Sequence, residues 1–141
     1  MTEKLRNYAA KKKSLDFTAR ELERINAEMT RINSATKDGT PVSGGTNHRE
    51  DRIVNLIMAK QEILDIRKET ESWVYNLETA LGAMEDEEYH ILDVMYINPV
   101  RGGVDMLCNE LGCEEPSTVY RKKNRALKHL TMYYYGVLER L

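Results

Sequence analysis

The sequence predicts an all-α protein in which a long helical hairpin of the coiled-coil type precedes a three-helix helix-turn-helix. Three observations lead to this fold class. Two long stretches carry apolar residues every seven positions, a segment with several glycines separates them, and three shorter amphipathic stretches follow. We therefore expect two domains, the helical hairpin at residues 1–82 and the helix-turn-helix domain at residues 83–141.

The first seven-residue repeat predicts one long helix from Leu5 to Asn33. Two rows of mostly apolar residues form its expected contact seam, and Lys11 is the one charged break. The first row is Tyr8, Leu15, Leu22 and Met29, and the second row is Thr18, Ile25 and Ile32. The next segment, Ser34 to Asn47, contains three glycines and a proline, so we expect a flexible loop over residues 34–47.

The second seven-residue repeat predicts a helix from His48 to Gly82, with Asn47 as its N-cap. Its seam rows are Leu56, Ile63, Thr70 and Leu77, and Ala59, Ile66, Trp73 and Ala80. Two helices of similar length joined by one loop indicate an antiparallel hairpin. Pairing between two copies of the chain would bury the same rows, and the sequence does not separate these alternatives.

Glycine and proline residues divide the rest of the chain into three shorter helices. The predicted helices span Asp86–Ile97, Val104–Leu111 and Pro116–Gly136. Asn98-Pro99 ends the first helix, and Gly102-Gly103 forms the turn before the second. Gly112 is expected to adopt the left-handed conformation that ends a helix, and Pro116 fits the first turn of the next one.

Charged residues are segregated along the chain, although the net charge is only −2. From Met84 to Glu115 there are nine acids and one base, whereas from Pro116 to Gly136 there are five bases and no acid. An acidic segment followed by a basic helix is typical of proteins that read nucleic acid. The alternative interpretation is a solvated helix face without a partner.

The sequence does not indicate a membrane or secreted protein, a disulfide or zinc site, or an enzyme. No apolar run is long enough to span a membrane, and the segment Met1–Arg6 lacks the apolar core of a signal peptide, so we expect a soluble cytoplasmic protein without a membrane partner. Cys108 and Cys113 do not form a disulfide framework, and with His90 and His129 they do not form a closed zinc pattern. No catalytic arrangement is present either, so we expect neither an enzyme nor a cofactor.

The last helix carries the predicted binding site. Its apolar face, Val119, Ala126, Leu127, Leu130 and Tyr134, is expected to pack on the preceding helices. An α-helix fits the major groove of DNA, where Arg can pair with guanine and Asn with adenine. We predict that bases are contacted by Ser117, Thr118, Arg121 and Asn124, and that phosphates are contacted by Lys122, Arg125 and Lys128. The run Tyr133-Tyr134-Tyr135 is expected to anchor the helix end or to form a dimer contact, with base stacking as the alternative.

These residues resemble a known family. The segments Asp86–Ile97, Leu107–Gly112, Ser117–Arg121 and Arg125–Leu130 together look like region four of bacterial sigma factors. With the loop Gly39–Gly45, they also make most of the chain similar to the RinA/ArpU-type phage transcription regulators. The resemblance implies a regulator of phage genes that reads promoter DNA through its last helix and acts with bacterial RNA polymerase. Between Gly112 and Val119 there is about one residue more than in the usual sigma motif, and the chain lacks the sigma segments that bind the −10 element.

Two rival functions follow from the same sequence. The chain could be a helical assembly protein, such as a phage packaging component, which forms a homo-oligomer through the seams that contain Leu15, Leu22 and Leu77. It could also bind RNA polymerase without reading a promoter, and in that case Arg121→Ala and Arg125→Ala would leave its function intact.

Overall fold

The computed structural model describes residues 1–37 and 46–136, and this part of the chain is helical without any β-strand. The helices are α1 (Thr2–Lys37), α2 (Thr46–Gly82), α3 (Asp86–Leu92), α4 (Gly103–Glu110) and α5 (Pro116–Tyr135). A π-helical turn, Asp93–Ile97, continues α3. The prediction of an all-α protein is therefore confirmed.

Two helices extend into the segment that was expected to be a loop, and the other helix ends lie within three residues of the prediction. The first long helix continues through Ser34 to Lys37, four residues into the segment expected to be a loop. The second begins at Thr46, so Asn47 lies inside α2 rather than capping it. Local composition is a weak guide at helix ends, where a few polar residues can extend a long helix at little cost. The predicted flexible loop otherwise lies outside the described residues.

The chain divides into two compact units, and one of them consists of Lys13–Glu71. Within it α1 and α2 run antiparallel, because Arg67 contacts Leu15 near one end while Arg52 pairs with Glu28 near the other. The predicted seam is largely present, since Ile25 and Ile32 are buried and the remaining α1 seam residues of this unit are half-buried. The pairing left open by the sequence is formed here within one chain.

The predicted seam position Ile66 is wrong. Its side chain is 50% exposed, whereas the neighbouring Arg67 is only 27% exposed. The Arg67 guanidinium donates hydrogen bonds to the Leu15 carbonyl oxygen at 2.6 Å and to Thr18 Oγ1 at 3.0 Å, and it pairs with Glu71 at 2.9 Å. A long side chain can bury its stem while its charged end finds acceptors, so Arg67 takes the inward position that periodicity assigned to an isoleucine.

The other unit consists of Met1–Lys12 and Ser72–Leu141. Its main core joins the start of α1 and the end of α2 to the C-terminal helices, and its buried residues are Leu5, Leu77, Ala80, Leu81, Met84, Leu92, Tyr96, Ile97, Ala126 and Leu130. Trp73 packs against this core, with Lys4 and Lys11 over its ring at 5.8 and 5.0 Å from the centroid. The predicted division between residues 82 and 83 stays a prediction.

A second, smaller core lies within the same unit and holds the helix-turn-helix together. It consists of Ile91, Val94, Leu107 and Val119, of which Leu107 and Val119 are completely buried. The π-helical turn was not predicted, and it is closed by a hydrogen bond from the Asn98 amide to the Asp93 carbonyl oxygen. A π turn changes the helical register, so that this stretch supplies Val94 to the small core and residues 96 and 97 to the main one.

Candidate nucleic-acid interface

The turn between α4 and α5 sets the direction of the last helix. Gly112 has a φ of +67°, the left-handed conformation that was predicted there. The Cys113 amide donates to the Cys108 carbonyl oxygen at 2.9 Å, and the Cys108 thiol lies 2.9 Å from the Cys113 carbonyl oxygen. Pro116 occupies the first turn of α5 as expected. These local bonds and the small core fix how α5 is presented.

The last helix has one buried face and one exposed face. Val119, Ala126 and Leu130 are completely buried, and Leu127 and Tyr134 are partly buried against the main core. The predicted apolar face is thus confirmed. In the predicted binding set, five side chains are exposed and two are half-buried; the exposed ones are Ser117, Arg121, Asn124, Arg125 and Lys128, and the half-buried ones are Thr118 and Lys122.

The N-terminal part of the exposed face is held by short-range hydrogen bonds. Arg121 Nη2 donates to Thr118 Oγ1 at 3.3 Å, and Ser117 Oγ donates to Glu115 Oε2 at 3.2 Å. Both contacts involve exposed atoms and join residues two or three positions apart, so a ligand can displace them at little cost. Within the described part of the chain, no ion pair joins Arg121, Arg125 or Lys128 to an acid.

Lys122 differs from the other predicted phosphate contacts, because its ammonium group already has a partner. Lys122 Nζ lies 2.7 Å from Glu87 Oε1, at the start of α3. The hydrogen bond from Lys122 to this carboxylate raises the pKa of the ammonium group, which stays charged at neutral pH. The ammonium group of this predicted residue is therefore already paired with a carboxylate.

Two histidines extend this pattern of acid–base contacts between helices. His129 Nδ1 of α5 lies 2.6 Å from Glu88 Oε2 of α3, and His90 Nε2 lies 2.6 Å from Glu110 Oε2 of α4. Glu87 and Glu88 both lie in the first turn of α3, where the helix dipole favours acids. The sequence did not predict their partners in α5, because its only signal was an acidic segment followed by a basic one.

Two further residues of the exposed face were not in the predicted set. Tyr120 is 46% exposed, and Lys123 Nζ lies 5.6 Å from the centre of its ring. Such a cation–π contact holds an ammonium group near the surface without neutralising it. Tyr120 directly precedes Arg121, and Lys123 directly precedes Asn124, so proximity in sequence to the predicted base contacts could have included them.

The remaining candidate sites take structural roles or lie outside the described residues. Burial raises the pKa of the Cys108 thiol, and among the described residues no group of three His, Cys, Asp or Glu side chains could hold a metal ion. The glycine-rich loop lies outside the described residues. In the tyrosine run, Tyr134 packs on the main core as expected, while Tyr133 and Tyr135 are 39% and 44% exposed.

Comparison with known proteins places the chain in one uncharacterised group. Residues 31–131, well over half of the chain, match a family described as "Protein of unknown function (DUF1492)". No curated protein and no solved structure matches the chain. No helix in the described part of the chain is both long enough and apolar enough to cross a membrane.

Proposed function

The chain belongs to the DUF1492 family of proteins of unknown function, and we propose that it is a sequence-specific DNA-binding regulator of phage or prophage genes. It resembles region four of sigma factors and the RinA/ArpU-type regulators, and this resemblance is the basis for proposing that it acts with bacterial RNA polymerase. In this proposal the chain acts in the bacterial cytoplasm by binding alone and catalyses no reaction.

One observation carries the proposal. The last helix of the helix-turn-helix buries Val119, Ala126 and Leu130 completely on one side. On the opposite side it presents a basic face, and the helix contains no acid. A helix with one face packed on its own domain and a free cationic face has the shape and charge that the major groove accepts. Residues 84–115, which lead into this helix, contain nine acids and one base, so the positive charge of the helix-turn-helix is concentrated on this face.

The exposed side chains divide by chemistry into two groups. Arg121 and Asn124 offer donors in the geometry that pairs with guanine and adenine edges, and Ser117 and Thr118 lie one turn earlier, nearest the helix start. Arg125 and Lys128 lie farther along the helix, where phosphate contacts are expected to supply affinity and its dependence on salt.

Fluorescence anisotropy tests the proposal with promoter-containing duplexes from the genome that encodes the chain. We expect Arg121→Ala to weaken binding to the target by roughly 5- to 150-fold, the effect of losing one bidentate base contact, and to reduce the preference for that target. Lys128→Gln should weaken all duplexes alike and lower the salt slope by about one. Arg20→Ala, which removes an exposed arginine from α1, is the matched control for lost charge.

Equal binding to every duplex, with Arg121→Ala and Arg20→Ala indistinguishable, would refute sequence-specific readout. Absence of binding would instead favour the rival in which the chain occupies RNA polymerase without touching DNA. A pull-down with purified polymerase core enzyme then decides, because that rival requires Arg121→Ala and Arg125→Ala to retain the interaction.

Exposed apolar side chains on α2 favour the leading rival, a helical assembly protein. Val54, Ile57 and Met58 are 52%, 50% and 65% exposed, and they recur at the three- and four-residue spacings of one helix face. If the chain assembles through this face, light scattering coupled to gel filtration should detect an oligomer that Ile57→Asp dissociates. Leu15, Leu22 and Leu77, which were predicted to mediate assembly, are half-buried or buried within the chain.

A further inference from the structure

One flank of the proposed DNA-binding helix faces the acidic start of α3. Acidic and basic side chains line a surface pocket of about 210 Å³ between these two helices. Its charged and titratable lining residues are Glu85, Glu87, Glu88, Lys122, Arg125 and His129. Two of the acids make direct contacts across it, from Glu87 to Lys122 at 2.7 Å and from Glu88 to His129 at 2.6 Å.

The contact of Glu87 competes with DNA for the same donor. An ammonium group paired with a carboxylate at hydrogen-bond distance must lose that partner before it can pair with a phosphate, and the freed carboxylate then repels the phosphate. The side chains of Glu87 and Lys122 are 50% and 40% exposed, so the pair can open without unfolding of the helices. The side chain of Glu88 is only 17% exposed, and its contact with His129 keeps a second carboxylate at the same flank.

The rest of the exposed face has no such restraint. Among the described residues, Arg121 and Lys128 form no ion pair with an acid, although they belong to the same basic helix. The acids therefore act on one side of α5 and leave the other side free for DNA.

We propose that Glu87 and Glu88 form an autoinhibitory acid clamp, which lowers the affinity for DNA by holding Lys122 and the adjoining flank of α5. This inference rests on the proposed DNA-binding function. With the clamp in place, the affinity for DNA rises when the two carboxylates are neutralised or displaced. The clamp also lowers the share of the affinity that comes from non-specific phosphate contacts, so that the base contacts of Arg121 contribute a larger share.

The test is a set of Glu→Gln variants of the full chain, titrated by fluorescence anisotropy with a fluorescein-labelled duplex of mixed sequence across a salt series. Glu87→Gln is expected to tighten binding about two- to fivefold at low salt, and to steepen the slope of log K against log salt by about 0.9, the value of one added phosphate contact. Glu110→Gln is the matched control, because it makes the same charge change and also removes a carboxylate contact between two helices, but its partner is His90 of α3 rather than a base of α5.

A double-mutant cycle identifies the mechanism. In the Glu87→Gln background, Lys122→Gln should abolish the gain in affinity and restore the shallower salt slope. Circular dichroism checks that each variant keeps its helical content. If Glu87→Gln and Glu110→Gln tighten binding equally, or if Glu87→Gln leaves both affinity and slope unchanged, the clamp is refuted. It is also refuted if the gain persists without Lys122.

The same experiment separates failure of the clamp from failure of the proposed function. If Arg121→Ala weakens binding while Glu87→Gln has no effect, DNA binding stands and the clamp alone is refuted. If neither the unaltered chain nor Glu87→Gln binds any duplex, both proposals are refuted. Binding by Glu87→Gln where the unaltered chain binds none would be the strongest support for the clamp.

Discussion

The glycine between α4 and α5 provides the sharpest test of how the helix-turn-helix is built. Gly112 has a φ of +67°, and a Cβ atom placed on it would meet no other atom within 4 Å. Gly112→Ala therefore adds backbone strain without a steric clash. Gly82, in the last turn of α2, also has open space around it, but its φ is not in the left-handed region. The same substitution at these two positions isolates the effect of φ.

The two substitutions should change the free energy of unfolding in opposite directions. An L-residue in the left-handed conformation costs about 1–2 kcal/mol. Alanine also lowers the conformational entropy of the unfolded chain, which stabilises the fold by about 0.4–1 kcal/mol. Gly112→Ala should therefore destabilise the protein by about 1 kcal/mol. Gly82→Ala has no such strain and gains helix propensity, so it should stabilise by about 0.5 kcal/mol. Gly112→Asn should lose less than Gly112→Ala, because asparagine tolerates this conformation better.

Urea unfolding followed by tryptophan fluorescence measures these changes in free energy. Trp73 is the only tryptophan, and it lies in the same compact unit as both glycines, so one signal reports on both variants. Equal stabilities for Gly112→Ala and Gly82→Ala would refute the reasoning, because the two positions would then differ in φ without an energetic consequence. Destabilisation by Gly82→Ala alone would refute it more strongly.

Three further predictions concern packing, pH and the unit Lys13–Glu71. Leu107→Ala, in the completely buried small core, should cost about 2–5 kcal/mol in urea unfolding, and a cost below about 1 kcal/mol would contradict the packing described. Hydrogen bonds from Lys12 and, to a smaller extent, Tyr8 hold the pKa of Glu78 below its ordinary value, so the stabilisation they provide is present above that value and is lost as the pH falls through the lowered pKa. Glu78→Gln should reduce this loss of stability at acidic pH by about 0.5 kcal/mol, because the ion pair with Lys12 is exposed to solvent. An unchanged pH dependence of the free energy of unfolding would contradict this. Arg67→Met should destabilise by about 1 kcal/mol in urea unfolding followed by circular dichroism, since two hydrogen-bond acceptors lose their donor, whereas a stabilised variant would show that the guanidinium is not needed there.

Patterns that are local in sequence predicted most of the helices and the faces of the last one. Val119, Ala126 and Leu130 are buried as their spacing indicated, and Gly112 and Pro116 adopt the conformations expected of them. These predictions succeed because a helix places residues three and four positions apart on one face. Glycine also frees the backbone at its own position, and proline restricts it.

Periodicity could not decide which of two adjacent residues turns inward, or where the helical register changes. Ile66 is hydrophobic and fits the repeat, yet Arg67 takes the inner position because the Leu15 carbonyl oxygen and Thr18 Oγ1 of α1 lie within its reach. The π-helical turn at Asp93–Ile97 likewise depends on two cores on different sides of one short segment. Both outcomes depend on acceptors and cores supplied by distant segments.

Composition and spacing act along the chain, so the sequence alone indicated that this protein is helical and that its last amphipathic helix has five bases and no acid. Which of those bases are already paired depends on how the helices pack in three dimensions. Glu87 meets Lys122, and Glu88 meets His129, across 35 and 41 residues of sequence. Such contacts depend on how α3 and α5 pack, and a one-dimensional pattern of charges contains no distance between helices.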